Sequence, residues 1–288
     1  MKEILIVSGK GGTGKTSITA SIASLVQNSV FADCDVDAAD LHLILSPEIE
    51  NTNEFYSGHL ASIDNEKCIS CGICKDVCRF DAIKIRDEQY FVGPISCEGC
   101  GVCVWSCPQE AINFDDNLCG EWYVSQTRFG DMVHAKLNAA AENSGKLVST
   151  VRNEAKKLAQ SKNKDYVIID GPPGIGCPVI ASMTGVNSVI IVTEPTLSGL
   201  HDMERVMELA NHCHVESYVC INKYDINIEM TDKIKNLSAE YKIPVIGQIP
   251  YEKDMTKAQI KGQTIIEYSQ NPAAEAIKMM WEEYLSIS

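Results

Sequence analysis

The chain has 288 residues, 45% of them hydrophobic, and a formal net charge of -14 from 39 acidic and 25 basic residues. This length suits about two domains, and so acidic a surface would repel both nucleic-acid phosphates and anionic lipids. No apolar run reaches the roughly 20 residues that span a bilayer, and the first residues do not form a signal peptide. We therefore expect a cytoplasmic protein with no nucleic-acid partner and no stable membrane insertion.

The first segment predicts a strand, a glycine loop, a helix and a second strand. Residues 4–7 and 29–32 are apolar like buried strands, and residues 16–26 show helical spacing of apolar side chains. The loop, residues 9–16, reads Gly-Lys-Gly-Gly-Thr-Gly-Lys-Thr and fits the phosphate-binding P-loop pattern. In such a loop the lysine contacts the outer phosphates and the last hydroxyl binds Mg²⁺. The predicted nucleotide-binding residues are Gly11, Gly12, Thr13, Gly14, Lys15, Thr16 and Ser17.

A cysteine-rich segment follows, and it is a repeat. Eight of the 13 cysteines have regular spacing within it: Cys68, Cys71, Cys74, Cys78, Cys97, Cys100, Cys103 and Cys107. The second four repeat the first four at an offset of 29 residues, which also maps Gly72 onto Gly101 and Ala82 onto Ala111. Paired CxxC motifs are the usual form of a zinc site, so three close cysteines plus a remote fourth favour iron–sulfur clusters over zinc.

This spacing resembles that of bacterial two-cluster ferredoxins. The resemblance implies two [4Fe–4S] clusters whose ligands are interchanged between the halves. One would be held by Cys68, Cys71, Cys74 and Cys107, and the other by Cys97, Cys100, Cys103 and Cys78. It also implies low-potential electron transfer. One departure is Arg79, which stands where the ferredoxin pattern has proline after the fourth cysteine of a run.

The remaining residues return to an α/β pattern. Helical spacing predicts helices at 133–137, 147–158, 203–210 and 272–285, and apolar runs predict strands at 166–169, 189–192, 218–221 and 245–249. This alternation predicts a mostly parallel sheet with helices on both faces. We therefore predict an α/β domain of residues 1–57 and 119–288, interrupted by a small α+β insertion at 58–118. The five other cysteines (Cys34, Cys119, Cys177, Cys213 and Cys220) are expected to be buried thiols.

A second lysine in the glycine loop, Lys10, gives the chain a family resemblance. The loop resembles the deviant P-loop of the MinD, ParA, Mrp and nitrogenase iron-protein superfamily. The resemblance implies binding of ATP or ADP with Mg²⁺ and a nucleotide-dependent homodimer. Lys10 would act across the dimer interface, and Lys15 on the chain's own nucleotide.

Acidic and amide residues at strand ends complete the expected site. By the same resemblance, Asp170 would hold Mg²⁺ together with Thr16, and Asp35 would orient the attacking water. Asp37, Asp40 and, last, Asp33 are alternatives for that second role. Asn222 and Lys223 resemble the corner that recognises the base, and Pro250 a segment near the adenine. Because an Asn-Lys-x-Asp motif also occurs in GTPases, the motif alone does not choose the base.

Three functions fit these features. The leading hypothesis is an ATPase that couples homodimer closure to electron transfer with an unidentified redox partner. The second is a carrier that delivers a cluster or metal to an apo-protein acceptor, in which Cys177 would take the place of the relatives' CxxC. The third is a membrane-associated positioning switch like MinD. That role needs a basic amphipathic tail, whereas the apolar face of the last helix has acidic neighbours.

Overall fold

The computed structural model describes residues 1–138 and 144–288. They form two compact units. The first comprises Met1–Asn53, Glu121–Leu137 and Ser144–Ser288; of the described residues, the second holds Glu54–Gly120 and Asn138. The domain boundaries predicted at 57/58 and 118/119 fall inside two strands of 16 residues each, Glu48–Ile63 and Ile112–Thr127.

The described residues form eleven strands. They are β1 (Lys2–Ser8), β2 (Ser29–Asp33), β3 (Glu48–Ile63), β4 (Ile83–Arg86), β5 (Gln89–Val92), β6 (Ile112–Thr127), β7 (Gly130–Leu137), β8 (Tyr166–Pro173), β9 (Ser188–Thr193), β10 (Glu216–Asn222) and β11 (Val245–Ile249). Nine of them form one sheet in the order β11-β10-β9-β1-β8-β2-β7-β6-β3. The pairings from β11 across to β7 are parallel. The fold is therefore the predicted α/β fold with a mostly parallel sheet.

Helices cover both faces of this sheet. In the first unit they are α1 (Lys15–Ala23), α2 (Leu41–Leu45), α5 (Ser144–Ser161), α6 (Cys177–Met183), α7 (Leu197–His212), α8 (Ile228–Glu240), α9 (Asp254–Ile260), α10 (Ile265–Tyr268) and α11 (Pro272–Ile287). The second unit has two short helices of its own, α3 (Ile73–Val77) and α4 (Val102–Trp105). Ile4 and Ile6 of β1 share one core with α1 and α11. Leu5 and Val7, buried equally, point to the other face, because successive strand side chains alternate.

The last helix, α11, has a capped first turn and one buried apolar face. Its first turn is capped by the Asn271 side chain, which accepts a hydrogen bond from the Ala274 N–H at 2.9 Å, and Pro272 occupies the first turn, where no N–H is needed. Ile277, Met280 and Tyr284 are then buried along one face. These side chains join the core that lies between α11 and the sheet. No helix within the described ranges is long and apolar enough to cross a membrane.

One predicted helix is wrong. Residues 133–137 were expected to be helical, but they lie in β7, which pairs in parallel with β2. Residues 131–135 of β7 are all buried, so the strand lacks the alternation of exposed and buried residues that reveals a half-buried strand. Only Arg128 and Phe129 separate β6 from β7, a connection short enough for antiparallel neighbours alone.

The second unit repeats its backbone as well as its sequence. Helices α3 and α4 occupy equivalent positions of the 29-residue repeat, and positive φ angles recur at matched pairs. These pairs are Ser70 and Gly99, Gly72 and Gly101, and Asp81 and Glu110. The hairpin of β4 and β5 turns through Asp87 and Glu88, both with positive φ, as a two-residue turn requires. Two halves of this unit therefore share one local fold.

Candidate functional site

The glycine loop lies between β1 and α1, at the carboxyl end of a central strand of the sheet. Gly12 and Gly14 have φ angles of 80° and 89°, which favour glycine. A Cβ on Gly14 would also lie 2.4 Å from Asn222 Nδ2, so a side chain at this position would collide with the neighbouring strand end. Cβ atoms on Gly11 or Gly12 would meet no described atom within 4 Å, which leaves their backbone open to the cleft.

Lys15 and Asp170 form the buried centre of the site. Lys15 Nζ lies 2.9 Å from Asp170 Oδ1 and 3.4 Å from Asp35 Oδ2. Burial lowers the pKa of the Lys15 ammonium, but the carboxylates of Asp170 and Asp35 raise it by more, so its pKa lies above the ordinary value. The lysine is therefore firmly charged and points to the strand ends where a phosphate would be held.

Asp170 accepts two hydroxyl hydrogen bonds besides the lysine. Thr16 Oγ1 donates to Oδ2 at 2.8 Å, and Thr19 Oγ1 donates to Oδ1 at 2.9 Å. The Thr16 hydroxyl and the Asp170 carboxylate, the two groups predicted to serve Mg²⁺, thus lie side by side. Oxygen ligands of this kind suit that cation.

The four candidate aspartates, one at the end of β2 and three after it, have different environments, and Asp37 is exposed. Asp33 is fully buried, and its carboxylate accepts hydrogen bonds from the backbone N–H groups of Asp35 and Leu41, at 3.1 and 3.2 Å. Burial and the adjacent Asp170 carboxylate raise the pKa of Asp33 well above its ordinary value. Its role is to hold the turn. Asp35 and Asp40 line the cleft, but only Asp35 approaches Lys15; burial raises its pKa, which the lysine partly offsets.

The base-side residues pack against the glycine loop. Asn222 Nδ2 donates to the Thr13 carbonyl at 2.7 Å, and Asn222 Oδ1 accepts from the Lys223 N–H at 3.0 Å. The Asn222 amide thus braces the loop. Pro250 and Lys223 line the same cleft. The buried Thr13 Oγ1 has no hydrogen-bond partner among the described residues.

Lys10 is bound within its own chain. Its Nζ lies 2.7 Å from Glu194 Oε1, 2.9 Å from Ser198 Oγ and 3.3 Å from Thr196 Oγ1. Glu194 also approaches Lys223 Nζ at 3.3 Å. Burial raises the pKa of Glu194, but the two lysines lower it by more, so it lies below the ordinary value. Glu194 therefore links the glycine loop to the base-side corner.

An open cleft of about 1190 Å³ lies along the glycine loop. Its walls include the loop from Gly11 to Ser17, Asp35, Asn222 and Lys223, together with the segment from Pro250 to Glu252. The orphaned Thr13 hydroxyl and the charged Lys15 provide donors near one end. The arrangement suits an elongated anionic ligand with a cation such as Mg²⁺ beside it.

The eight repeated cysteines line two separate cavities of the second unit. Cys68, Cys71, Cys74 and Cys107 line the first cavity, and Cys78, Cys97, Cys100 and Cys103 line the second cavity. Each cavity, counted together with the open space at its mouth, measures about 360 Å³. Each therefore takes three cysteines from one half of the repeat and the fourth from the other half.

The fourth cysteine is anchored alike in both halves. The Ala82 N–H points to Cys78 Sγ at 3.4 Å, and the Ala111 N–H points to Cys107 Sγ at 3.3 Å. Burial raises the pKa of Cys74 and of its counterpart Cys103, and the neighbouring cysteines add to the shift. Within the described ranges, no three His, Cys, Asp or Glu side chains are arranged to hold a metal ion.

Comparison with known proteins identifies the first unit's family. Residues 4–265 match the model of the CobQ/CobB/MinD/ParA nucleotide binding domain. The chain belongs to this family. An uncharacterized protein of Methanocaldococcus jannaschii is 34% identical over 287 residues, which cover 98% of this chain and 95% of that relative.

Two MinD proteins illustrate the relationship at greater distance. The septum site-determining protein MinD of Buchnera aphidicola is 24% identical, over 91% of this chain and 83% of its own length. The structure of MinD complexed with Mg-ADP from Pyrococcus horikoshii covers 98% of this chain and 95% of that chain, with a TM-score of 0.60 and 18% identity. At this identity the structural likeness shows the fold alone. The present chain is thus a P-loop nucleotide-binding protein of the MinD/ParA type.

In this MinD/ParA-type protein, some site residues escaped sequence reasoning. Thr19 lies one helical turn after Lys15, so its spacing could have placed it on the same face of α1. Glu194 follows β9, and the carboxyl ends of parallel strands meet at one edge of a sheet. Gln259, whose amide donates to Ser17 Oγ at 2.6 Å, comes from α9 and carried no sequence signal.

The cysteines outside the repeat also correct one expectation. Cys34, Cys119 and Cys220 are buried, as predicted. Cys177 is exposed, because it begins the short helix α6 at the surface after Gly176, and Cys213 is partly exposed. The expectation of a buried thiol was therefore wrong for Cys177.

Proposed function

We propose that this protein is an ATPase that binds two [4Fe–4S] clusters and couples nucleotide-driven homodimer closure to low-potential electron transfer. One observation carries the proposal: the eight cysteines divide into two sets of four, each around its own cavity, in a chain that also has a complete P-loop site. A redox group and a nucleotide switch in one chain support coupling between them.

The nucleotide chemistry follows from the buried centre. Lys15 would neutralise charge on the outer phosphates, and Thr16 and Asp170 would hold Mg²⁺ directly or through water. Asp35, close to Lys15 and on the cleft wall, is the proposed residue that orients the attacking water. Lys10 would leave Glu194 and reach the nucleotide of the second copy when the dimer closes. ATP is favoured over GTP because the family likeness is to ATP-dependent MinD and ParA proteins.

The cysteine cavities fit a cluster better than a zinc ion. A single zinc ion needs four ligand atoms converging at about 2.3 Å, and no described group of side chains converges in this way. Four thiols around each cavity, three from one run and one from the other, match the ligand pattern of a cubane cluster. The N–H groups of Ala82 and Ala111, which point to cysteine sulfurs, would also stabilise thiolate charge. When bound, the clusters would supply one-electron redox chemistry.

The main test is anaerobic purification followed by metal and sulfide analysis. We expect iron and sulfide equivalent to two cubane clusters per chain, with a reducible EPR signal. Cys71→Ser should lower the iron content, whereas Cys213→Ser, outside the repeat, should leave it unchanged. Stoichiometric zinc with no visible absorption would refute the proposal.

Coupling has its own test. Redox titrations with ATP, with ADP and without nucleotide should give different midpoints, and ATP should promote dimers in sedimentation velocity. Midpoints that do not respond to nucleotide would leave two unlinked activities.

A cluster or metal carrier is the second candidate, and the exposure of Cys177 favours it. A thiol at the surface beside the Gly-Pro-Pro-Gly segment after Asp170 can take part in exchange with an acceptor. In this case loaded protein would pass iron to an apo-ferredoxin, and Cys177→Ser would abolish the transfer. Retention of iron during such incubation would support the electron-transfer proposal instead.

A further inference from the structure

The two cysteine cavities are matched almost residue for residue by the repeat. Every residue that lines the first cavity, except Pro108, has its counterpart 29 positions away in the lining of the second cavity. The volumes are the same, and the fourth cysteine accepts the same backbone N–H in each. Differences between the few unlike pairs are therefore a direct comparison of two environments on one scaffold.

One unlike pair differs in charge. Ile69 lines the first cavity, and its counterpart Glu98 lines the second. Glu98 follows Cys97 directly and is the sole charged residue in either described lining. A nearby carboxylate opposes the addition of an electron, because it repels the extra negative charge. Glu98 is exposed, so water screens this effect and makes it a moderate shift.

Two further pairs differ in hydrogen-bonding capacity. Tyr90 and Gln109 line the first cavity, whereas their counterparts in the second are Ala61 and Phe80. The Tyr90 hydroxyl lies 3.1 Å from the position of a Cβ on Gly72, which stands between Cys71 and the start of α3, the helix that carries Cys74. A hydroxyl or amide donor near sulfur stabilises the reduced, more negative form. The donors and the carboxylate therefore shift the two sites in opposite directions.

Arg79, the departure from the ferredoxin pattern, is not expected to contribute to this difference. It is exposed and does not line the second cavity, although its counterpart Pro108 lines the first. Its charge is screened by water.

On these grounds we propose that the first cavity holds the cluster of higher reduction potential, and that Tyr90 and Glu98 set the difference between the two. This inference rests on the proposed function, since it needs both clusters. The electron supplied by a reductant such as dithionite would reside first at the site of Cys68, Cys71, Cys74 and Cys107. The site of Cys78, Cys97, Cys100 and Cys103 would be reduced only at lower potential.

The test is an EPR-monitored redox titration of the full-length loaded chain and its variants. The wild type should show two midpoints. Cys71→Ser and Cys100→Ser each alter one site and so assign each midpoint to its cavity. Glu98→Gln should raise the lower midpoint alone, and Glu98→Ile, which copies Ile69, should do the same. Tyr90→Phe should lower the higher midpoint alone. Glu88→Gln, an exposed carboxylate outside both linings, should move neither.

The outcomes separate this inference from the proposed function. A chain that binds no iron refutes the proposed function and, with it, the inference. A chain that holds two clusters of equal potential, or with the second cavity higher, overturns the inference alone. Equal shifts of both midpoints in Glu98→Gln or Tyr90→Phe would also overturn it, because they would reflect a general structural change.

Discussion

The two units differ in how their candidate sites relate to their hydrophobic cores. In the first unit the site side chains hydrogen-bond to one another, since Asp170 accepts from Lys15, Thr16 and Thr19. None of these side chains belongs to the apolar core. In the second unit the core and the site overlap, because Cys74 is one of four buried core residues and four more cysteines pack around them. We therefore expect the first unit to fold before it binds nucleotide, whereas the second unit, with the clusters proposed for it, would fold as they bind.

Removal of iron should give the largest effect. Because cysteines make up much of its core, the second unit should unfold when a chelator strips the clusters that we propose for it, as small metal domains do. Limited proteolysis should then cut within residues 54–120 and spare the first unit. Removal of nucleotide is the matched control and should expose neither unit. A protease-resistant second unit after iron removal would contradict the comparison.

Loss of the Lys15 charge should be the largest effect within the first unit. Lys15→Met leaves the fully buried Asp170 carboxylate without its cation, which typically costs about 3–5 kcal/mol of unfolding free energy. ATP hydrolysis should be abolished as well. Urea unfolding followed by the fluorescence of the buried Trp281 measures the first effect.

A double variant separates stability from catalysis. Lys15→Met with Asp170→Asn removes both charges and should recover much of the stability without restoring hydrolysis. Unchanged instability in the double variant would mean that Lys15 acts through packing and not through its charge.

Acid should weaken the first unit through His134. This buried ring lies 2.9 Å from Ser125 Oγ, and burial, with a smaller contribution from His42, lowers its pKa from 6.5 to about 4. A histidine with a depressed pKa contributes stability above the unfolded-state pKa and loses it as pH falls from 6.5 to 4. The loss should reach about 3 kcal/mol. Urea unfolding at several pH values should show a smaller loss for His134→Gln, while the exposed control His201→Gln should keep the wild-type slope.

Release of Lys10 should have the smallest effect. The Lys10–Glu194 pair is only partly buried, so its loss is worth about 1 kcal/mol at most. Glu194→Gln should free Lys10 and lower the ATP concentration for half-maximal dimer formation a few-fold in sedimentation velocity. Glu229→Gln, which removes an exposed helix pair with Lys233, should leave it unchanged. A weaker dimer in Glu194→Gln would show that Glu194 supports the interface instead.

The sequence predicted the helices and strands correctly where the pattern of apolar residues was strong. The buried strands β1, β8 and β9, the long helix α5 and the closing helix α11 follow directly from their apolar patterns. The wrong assignment at 133–137 arose because β7 is buried on both faces and so has no period of two. The 16-residue strands β3 and β6 escaped because many of their residues are polar and exposed.

The part of the site that lies within sequence motifs was predictable from the sequence. The glycine loop and the two cysteine runs could be identified from their spacing, and Asp170 from the family resemblance. The partners of Lys10 and the bracing role of Asn222 depend on which strand ends meet, so they needed three-dimensional structure. The 29-residue offset pairs Ile69 with Glu98 in the sequence, but only the structure shows that both residues line the cavities.

The exchange of the fourth cysteine makes the two halves of the repeat inseparable. A fragment that holds one half of the repeat would have three cysteines of one cavity and a single cysteine of the other cavity. Neither set of four would be complete. Oxidation of Cys78 or Cys107 would therefore damage the site of the opposite half while leaving its own three-cysteine run intact. The duplicated segment thus provides no redundancy. Damage to one half of the repeat removes cysteines from both cavities, so neither half can replace the other.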